Sequence, residues 1–337
     1  MIKHIIEQKQ ASNRLEELES LESSILAAIL HAVIGLHERR IVFANNAVES
    51  VFGWKPEELI GKTTRILYRS EAEYETIGKY FYSALDRQQT YIEEFPCRHK
   101  DGRDIVCLMS ASRIGEKLEE KKIVVIYENI TGRRKAEERL ERSFVELAET
   151  VSRAMKFRDP YTAEHQRKVA ELARLVGEKM GLDKDRLMGL YIGGLLHDIG
   201  KCSTPESILS KPGKLIDEEW ALVHVHAKQG YEILDGASFP WPVADMALHH
   251  HERLDGSGYP DGISGDELSL ENRILGVCDV VESMSSFRPY RPARSIEEVL
   301  EEIKDGKGTK YDPAVVDIML QIIEGGEFEI EKGRLKM

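Results

Sequence analysis

The chain has little cysteine and no pairing of it. Its four cysteines, Cys97, Cys107, Cys202 and Cys278, are scattered over 337 residues without a C-x-x-C step. A disulfide framework is therefore not expected, and a reduced, cytoplasmic setting fits them better. A run approaching the ~20 apolar residues that cross a bilayer is also missing. The first residues, MIKHIIEQKQ, meet Lys and Gln too early for the apolar region of a signal peptide. Positive charge is in deficit: 59 acidic residues against 47 basic ones leave a net charge of -12. That balance disfavours non-specific binding to DNA or to an anionic membrane, and leaves room for a local basic pocket for a phosphate ligand. What remains, 42% hydrophobic and 31% charged residues, is the profile of a soluble globular chain long enough for two domains.

The patterning changes twice along the chain. Residues 1 to about 30 read as helix, with Leu15, Leu18, Leu21, Ile25 and Ala28 recurring at three- and four-residue steps. From Val33 the segments VIGL, RIVFAN, YIEEFPCRH, DIVCLMSAS and KIVVIYENI predict strands, several of them alternating polar with apolar. Lys100-Asp101-Gly102-Arg103 is a hairpin turn between two of them, and two or three short helical pieces fall between the second and third strands. An α+β domain with an antiparallel sheet is expected. After Thr131 the helical period returns. Ala136, Leu140, Phe144, Leu147, Val151 and Ala154 approach a heptad seam, which suits a parallel dimeric connector or a helix packed on its own domain. From about Met155 onward the chain reads as helices joined by Gly- and Pro-rich loops, over about 161–180, 183–198, 217–235, 242–251, 271–285, 295–304 and 313–323. Asp217 suits an N-cap, and Asp312-Pro313 a cap followed by Pro at the first helical position. The second domain is expected to be all-α.

Seven of the eleven histidines fall between residues 165 and 251, in helices that are otherwise apolar. Asp198 continues the inward stripe of Leu187, Tyr191, Gly194 and Leu195. His226 sits at the margin of a core face built by Trp220, Val223, Ala227, Tyr231 and Leu234. His250 and His251 follow Val243, Met246 and Ala247, and Asp279 and Glu282 share a side with Leu275. Four helices thus aim ionisable groups at a common interior. Buried carboxylates and imidazoles are costly unless paired or metal-bound, and a set of nitrogen and oxygen donors without thiolate suits iron, manganese, cobalt or zinc. There are too many donors for one tetrahedral ion, so two ions bridged by a carboxylate is the simplest arrangement. Taken singly, each piece has a plainer explanation: a core histidine bonded to a carbonyl, or a solvated face at 249–251. Their joint occurrence on apolar stripes favours the metal site.

The loop that follows is more specific. His250-His251-Glu252-x-x-Asp255-Gly256-x-Gly258-Tyr259-Pro260, with His197-Asp198-Ile199-Gly200-Lys201 upstream, closely resembles the HD-GYP phosphodiesterases, a branch of the HD metal-dependent phosphohydrolases. The resemblance runs from about 145 to 325. It includes His165 in Tyr161-Thr162-Ala163-Glu164-His165, the stretch Lys211-Pro212-Gly213-Lys214-Leu215, and Arg288-Pro289-Tyr290-Arg291. It implies hydrolysis of cyclic di-GMP to pGpG, with GMP as a further product left open. It also implies metal ligands at His165, His197, Asp198, His226, His250, His251 and Asp279, with Asp198 bridging. Lys201 would touch the scissile phosphate, Arg288 would hold another phosphate, and Tyr259 would line the pocket against a guanine. Tyr161 stands where three-metal members carry glutamate, so two divalent ions, iron or manganese, are expected. Lys168 replaces a usual arginine, which keeps the charge and loses the planar fork.

Residues 22–132 resemble a PAS domain, on Ile41-Val42-Phe43-Ala44-Asn45, Phe52-Gly53-Trp54, Pro56-Glu57-Glu58-Leu59-Ile60-Gly61, Lys100-Asp101-Gly102 and Glu128-Asn129-Ile130-Thr131. Its ligand is not legible. Lys62-Thr63-Thr64-Arg65 lacks the cysteine of flavin-adduct members, and no histidine lies between 38 and 98 for haem. The expected organisation is an N-terminal helix at 1–21, the PAS sensor at 22–132, a helical connector at 133–155 and the HD-GYP domain at 156–337. The partners implied are the dinucleotide, a second copy of the chain and a diguanylate cyclase. Rival readings are a phosphohydrolase for another cyclic dinucleotide or a nucleotide, and a non-hydrolytic binding module.

Overall fold

The computed structural model describes residues 2–114, 122–155, 162–211, 213–286 and 293–328. The backbone divides into two compact units, Met1–Arg139 and Leu140–Met337. The first begins with α1 (Ile2–Ala28), whose apolar positions Leu15, Leu18, Leu21 and Ile25 are exposed. Then come β1 (Ala32–His37), β2 (Arg40–Ala44), α2 (Ala47–Phe52), α3 (Pro56–Leu59), a 3-10 turn at Thr64–Leu67 and α4 (Glu71–Arg87). Strands β3 (Thr90–Arg98), β4 (Asp104–Arg113) and β5 (Lys122–Asn129) complete a five-stranded antiparallel sheet of order β2-β1-β5-β4-β3. Each strand falls on a segment expected to be one, and several of them alternate. On β4, for example, Ile105, Cys107, Met109 and Ala111 are all buried, every second residue on one face. Gly102 takes a φ of 89° in the turn between β3 and β4, and His99 N–H donates to Arg103 O there at 2.9 Å.

The helical pieces between β2 and β3 are not all short. With 17 residues, α4 is a full amphipathic helix, burying Tyr74, Ile77, Phe81 and Leu85 and capped by Ser70, whose hydroxyl accepts from Glu73 N–H. Its polar positions hide the apolar period from a quick reading.

Helix α5 (Thr131–Met155) spans the division between units. Within the second unit, its Ala148 and Met155 are buried, and Phe144, Val145 and Val151 pack against the same core. Leu140 and Leu147, the alternate members of the expected seam, are 60% and 61% exposed. After α5 come α6 (Thr162–Lys179), α7 (Lys184–Leu196), a 3-10 turn at Ile199–Ser203, α8 (Glu206–Leu209), α9 (Asp217–His224) and α10 (His226–Asp235). The rest is α11 (Val243–His249), a 3-10 turn at Gly265–Glu267, α12 (Leu270–Ser285), α13 (Ile296–Asp305) and α14 (Pro313–Glu324). The described residues of this unit contain no strand.

Three sequence expectations need correction. The helix expected over 217–235 is two helices that part at Val225. Trp220 consequently does not join the core face of Ala227 and Leu234; it is 43% exposed. Asp217 is the first helical residue rather than the cap. Ile216 holds the cap position in extended backbone, and the Glu219 carboxylate accepts its N–H at 3.0 Å. Asp312 does cap α14, accepting from Ala314 and Val315 N–H. Finally, α7 ends at Leu196, so His197 and Asp198 leave the helix where its last carbonyls lose their intrahelical donors.

Candidate metal centre

The apolar face of α6 carries Val169, Leu172, Ala173 and Val176 into the core, and His165 sits one turn N-terminal on that stripe. Helix α12 does the same with Leu275 and Cys278 beside Asp279 and Glu282, all buried. Helices α7 and α11 are followed directly by His197-Asp198 and His250-His251. The turn after Asp198 is pinned against the start of α10: a Cβ on Gly200 would fall 1.9 Å from His226 O and 2.5 Å from Gly230 N. Only glycine permits that approach, which brings the His226 and Asp198 backbones side by side.

The seven expected donors form two clusters. His165, His197 and Asp279 make one, and Asp198, His226, His250 and His251 the other; within each, the donor atoms lie within 4.8 Å of one another. Asp198 stands between them. Its Oδ2 is 3.5 Å from His197 Nε2 and 3.7 Å from His165 Nε2, while Oδ1 is 3.4 Å from His226 Nε2 and 3.9 Å from His250 Nε2. Asp279 also reaches both sides, with Oδ1 3.1 Å from His165 Nε2 and Oδ2 3.7 Å from His251 Nδ1.

The imidazoles are oriented by their outer nitrogens. The Nδ1 of His197, His226 and His250 contacts the carbonyl three residues earlier, Gly194, Val223 and Ala247, at 2.8, 2.6 and 2.9 Å. Each carbonyl lies in the last turn of a helix. An Nδ1–H donated there leaves the Nε2 lone pair facing inward. His165 uses a carboxylate instead: its Nδ1 contacts Glu282 Oε2, and Glu282 Oε1 accepts from Ser286 Oγ at 2.6 Å. Sequence reasoning placed Glu282 on the right stripe without giving it this task. Its position one turn beyond Asp279 was the available signal.

Burial pushes the pKa of His197 down, that of His226 to about 4, and those of His250 and His251 well below the imidazole range, against the opposing pull of the neighbouring carboxylates. Burial alone would raise Asp198, but Lys201 foremost, then the surrounding imidazoles, hold it well below the usual carboxylate range. Asp279 is likewise raised by burial and brought well below that range by His165, with His251 and His197 adding to the effect. His197 Nε2 and Asp198 Oδ1 are buried without a hydrogen-bond partner among the described residues. Lone pairs kept from water and aimed at one another suit divalent cations, and the donor set of imidazole and carboxylate fits borderline ions such as iron or manganese.

Lys201 lies at this centre and donates to Asp198 Oδ2 at 2.6 Å. Arg288 lies outside the described residues, as does Tyr161. His249, first of the three consecutive histidines, turns away to Asp245 at 2.8 Å and Asp261 at 3.4 Å. The loop after His251 is clamped by buried Glu252, whose Oε1 accepts from Asp261 and Gly262 N–H at 2.7 and 3.0 Å. Gly258 lies so close to the backbone that a Cβ there would come 2.4 Å from Glu252 Cα. This fold-back lays Tyr259 on His251, centroids 4.6 Å apart at 29°, and on His224, 3.9 Å apart at 19°. Two near-parallel rings that close to a third overlap unless they take opposite faces. Tyr259 is thus stacked between the two histidines, one on each face.

Residues 149–315 match the HD domain family model, and residues 23–130 match that of the PAS fold. The chain carries a PAS fold followed by an HD domain. Its HD half is similar to "Cyclic di-GMP phosphodiesterase response regulator RpfG" of Xanthomonas campestris, 38% identical over 178 residues, 52% of this chain and 47% of that protein. It is also similar to "3'3'-cGAMP-specific phosphodiesterase 3" of Vibrio cholerae, 42% identical over 157 residues, 46% and 34% of the two chains. "Cyclic di-GMP phosphodiesterase" of Thermotoga maritima is 36% identical over 179 residues, 52% and 49% of the two. The chain spans less than half the length of each of these relatives. None of the helices among the described residues is long and apolar enough to cross a membrane.

Proposed function

We propose that the HD half is a metal-dependent phosphodiesterase that opens cyclic di-GMP to pGpG under control of the PAS fold. The observation that carries this reading is Asp198, whose two oxygens face two separate sets of inward-turned imidazoles. His165, His197 and Asp279 would hold one ion, His226, His250 and His251 the other, with Asp198 shared between them. Iron or manganese is the preferred pair. When bound, such ions supply an activated water and neutralise phosphate oxygens.

The chain's own residues do the rest. The Nδ1 contacts of His197, His226 and His250 hold the rings against rotation, so the donors are in place before substrate arrives. Lys201 is one turn from Asp198 and partly exposed, which places an ammonium where negative charge gathers as the phosphodiester is attacked. Arg288 holds a second phosphate in this reading, and the edge of Tyr259 closes the pocket. The reading brings with it a cytoplasmic location, a homodimer and a diguanylate cyclase as partner.

A second substrate, 3'3'-cGAMP, is favoured by the 42% identity to a relative named for it. The test is hydrolysis of cyclic di-GMP and 3'3'-cGAMP by iron- or manganese-loaded protein, with products separated by chromatography. Conversion of cyclic di-GMP to pGpG supports the first reading, and conversion of 3'3'-cGAMP alone supports the second. No turnover of either rejects both.

A further inference from the structure

The rings that cover Tyr259 continue outward. His224 sits on α9, and Trp220, one turn earlier on the same helix, lies 5.8 Å from it, centroid to centroid, tilted by 46°. Helix α9 has no buried residue, so its indole is not there to fill a core. The unit's other indole makes the contrast: Trp241 is buried and donates to Asp185 at 3.1 Å. Trp220 stands at the exposed end of a series that runs from His251, a candidate metal ligand, through Tyr259 and His224.

We propose that Trp220 and His224 form a stacking shelf for a purine base of the substrate. The proposal rests on reading the neighbouring centre as a cyclic dinucleotide phosphodiesterase. A nucleotide carries its base one sugar away from its phosphate. The shelf likewise stands one ring beyond Tyr259 and two beyond His251, so a base resting on it leaves the phosphate facing the donor clusters. The faces of Tyr259 are occupied, whereas the Trp220 indole is 43% exposed and meets His224 only at a tilt, which leaves it surface to offer a flat heteroaromatic. Stacking accepts any base with a π face. The shelf therefore supplies affinity for the dinucleotide without choosing between guanine and adenine.

The test uses the full chain loaded with manganese. Stacking of a base on an aromatic side chain corresponds to about tenfold to one-hundredfold in affinity. Trp220→Ala is expected to raise KM for cyclic di-GMP by about that factor, with kcat changed less than about threefold, and Trp220→Phe to restore KM. Independently, titration with a phosphorothioate analogue of cyclic di-GMP is expected to quench tryptophan fluorescence in the wild type but not in Trp220→Phe. Wild-type hydrolysis with KM unmoved in Trp220→Ala and no quench from Trp220 overturns the shelf alone. A Trp220 quench without any hydrolysis overturns the phosphodiesterase reading and leaves the shelf standing.

Discussion

The Nδ1 of His165 on α6 meets the carboxylate of Glu282 on α12, and the opposite ring nitrogen then faces Asp279 Oδ1 at 3.1 Å. Removing an outer partner of this kind weakens metal retention by about tenfold to one-hundredfold. Glu282→Gln is expected to lose metal to a chelator at correspondingly lower concentration and to regain activity in excess metal. Wild-type retention in that variant would make Glu282 a packing residue only.

Lys201 donates to Asp198 Oδ2 at 2.6 Å without belonging to either donor cluster. In the proposed reaction its charge serves the phosphate rather than the ions. Lys201→Ala is expected to lower kcat by about 10²- to 10³-fold while metal content stays at the wild-type level. A kcat within threefold of wild type would remove Lys201 from the reaction.

Ser152 on α5 donates its hydroxyl to Gln166 Oε1 at 2.7 Å, and both residues are buried. Gln166 precedes α6's first core residues and follows His165 directly. In Ser152→Ala the amide oxygen loses that donor with no water to replace it, a cost of about 1–3 kcal/mol. For a unit of this size the thermal midpoint falls by about 2–4 °C per kcal/mol, measurable by calorimetry. An unchanged midpoint would mean that Gln166 finds another donor.

Much of this architecture can be read from side-chain periodicity. Strands β4 and β5 alternate, Asp101-Gly102 announces its turn, and the seven donors each stand on or beside an apolar stripe. What periodicity misses is backbone hydrogen bonding. The parting of α9 from α10 at Val225 leaves the Val223 carbonyl to the His226 ring, yet the 3.6-residue spacing of Val223, Ala227 and Leu234 runs through the break without a mark. That one break turns Trp220 from an expected core residue into an exposed one. The partners of His165 and Tyr259 were hidden for a different reason. Glu282 is 117 positions from His165, and His224 meets Tyr259 only once Gly258 has folded the loop back.

Whether two ions share Asp198 is settled most directly by counting them. Metal analysis of the purified, reconstituted chain is expected to give close to two divalent ions per protein, with cyclic di-GMP turned over to pGpG. Asp198→Ala, still folded by circular dichroism, is expected to hold fewer than one ion and to show no turnover. An Asp198→Ala protein that keeps both ions, or that hydrolyses the dinucleotide at the wild-type rate, would contradict the shared centre.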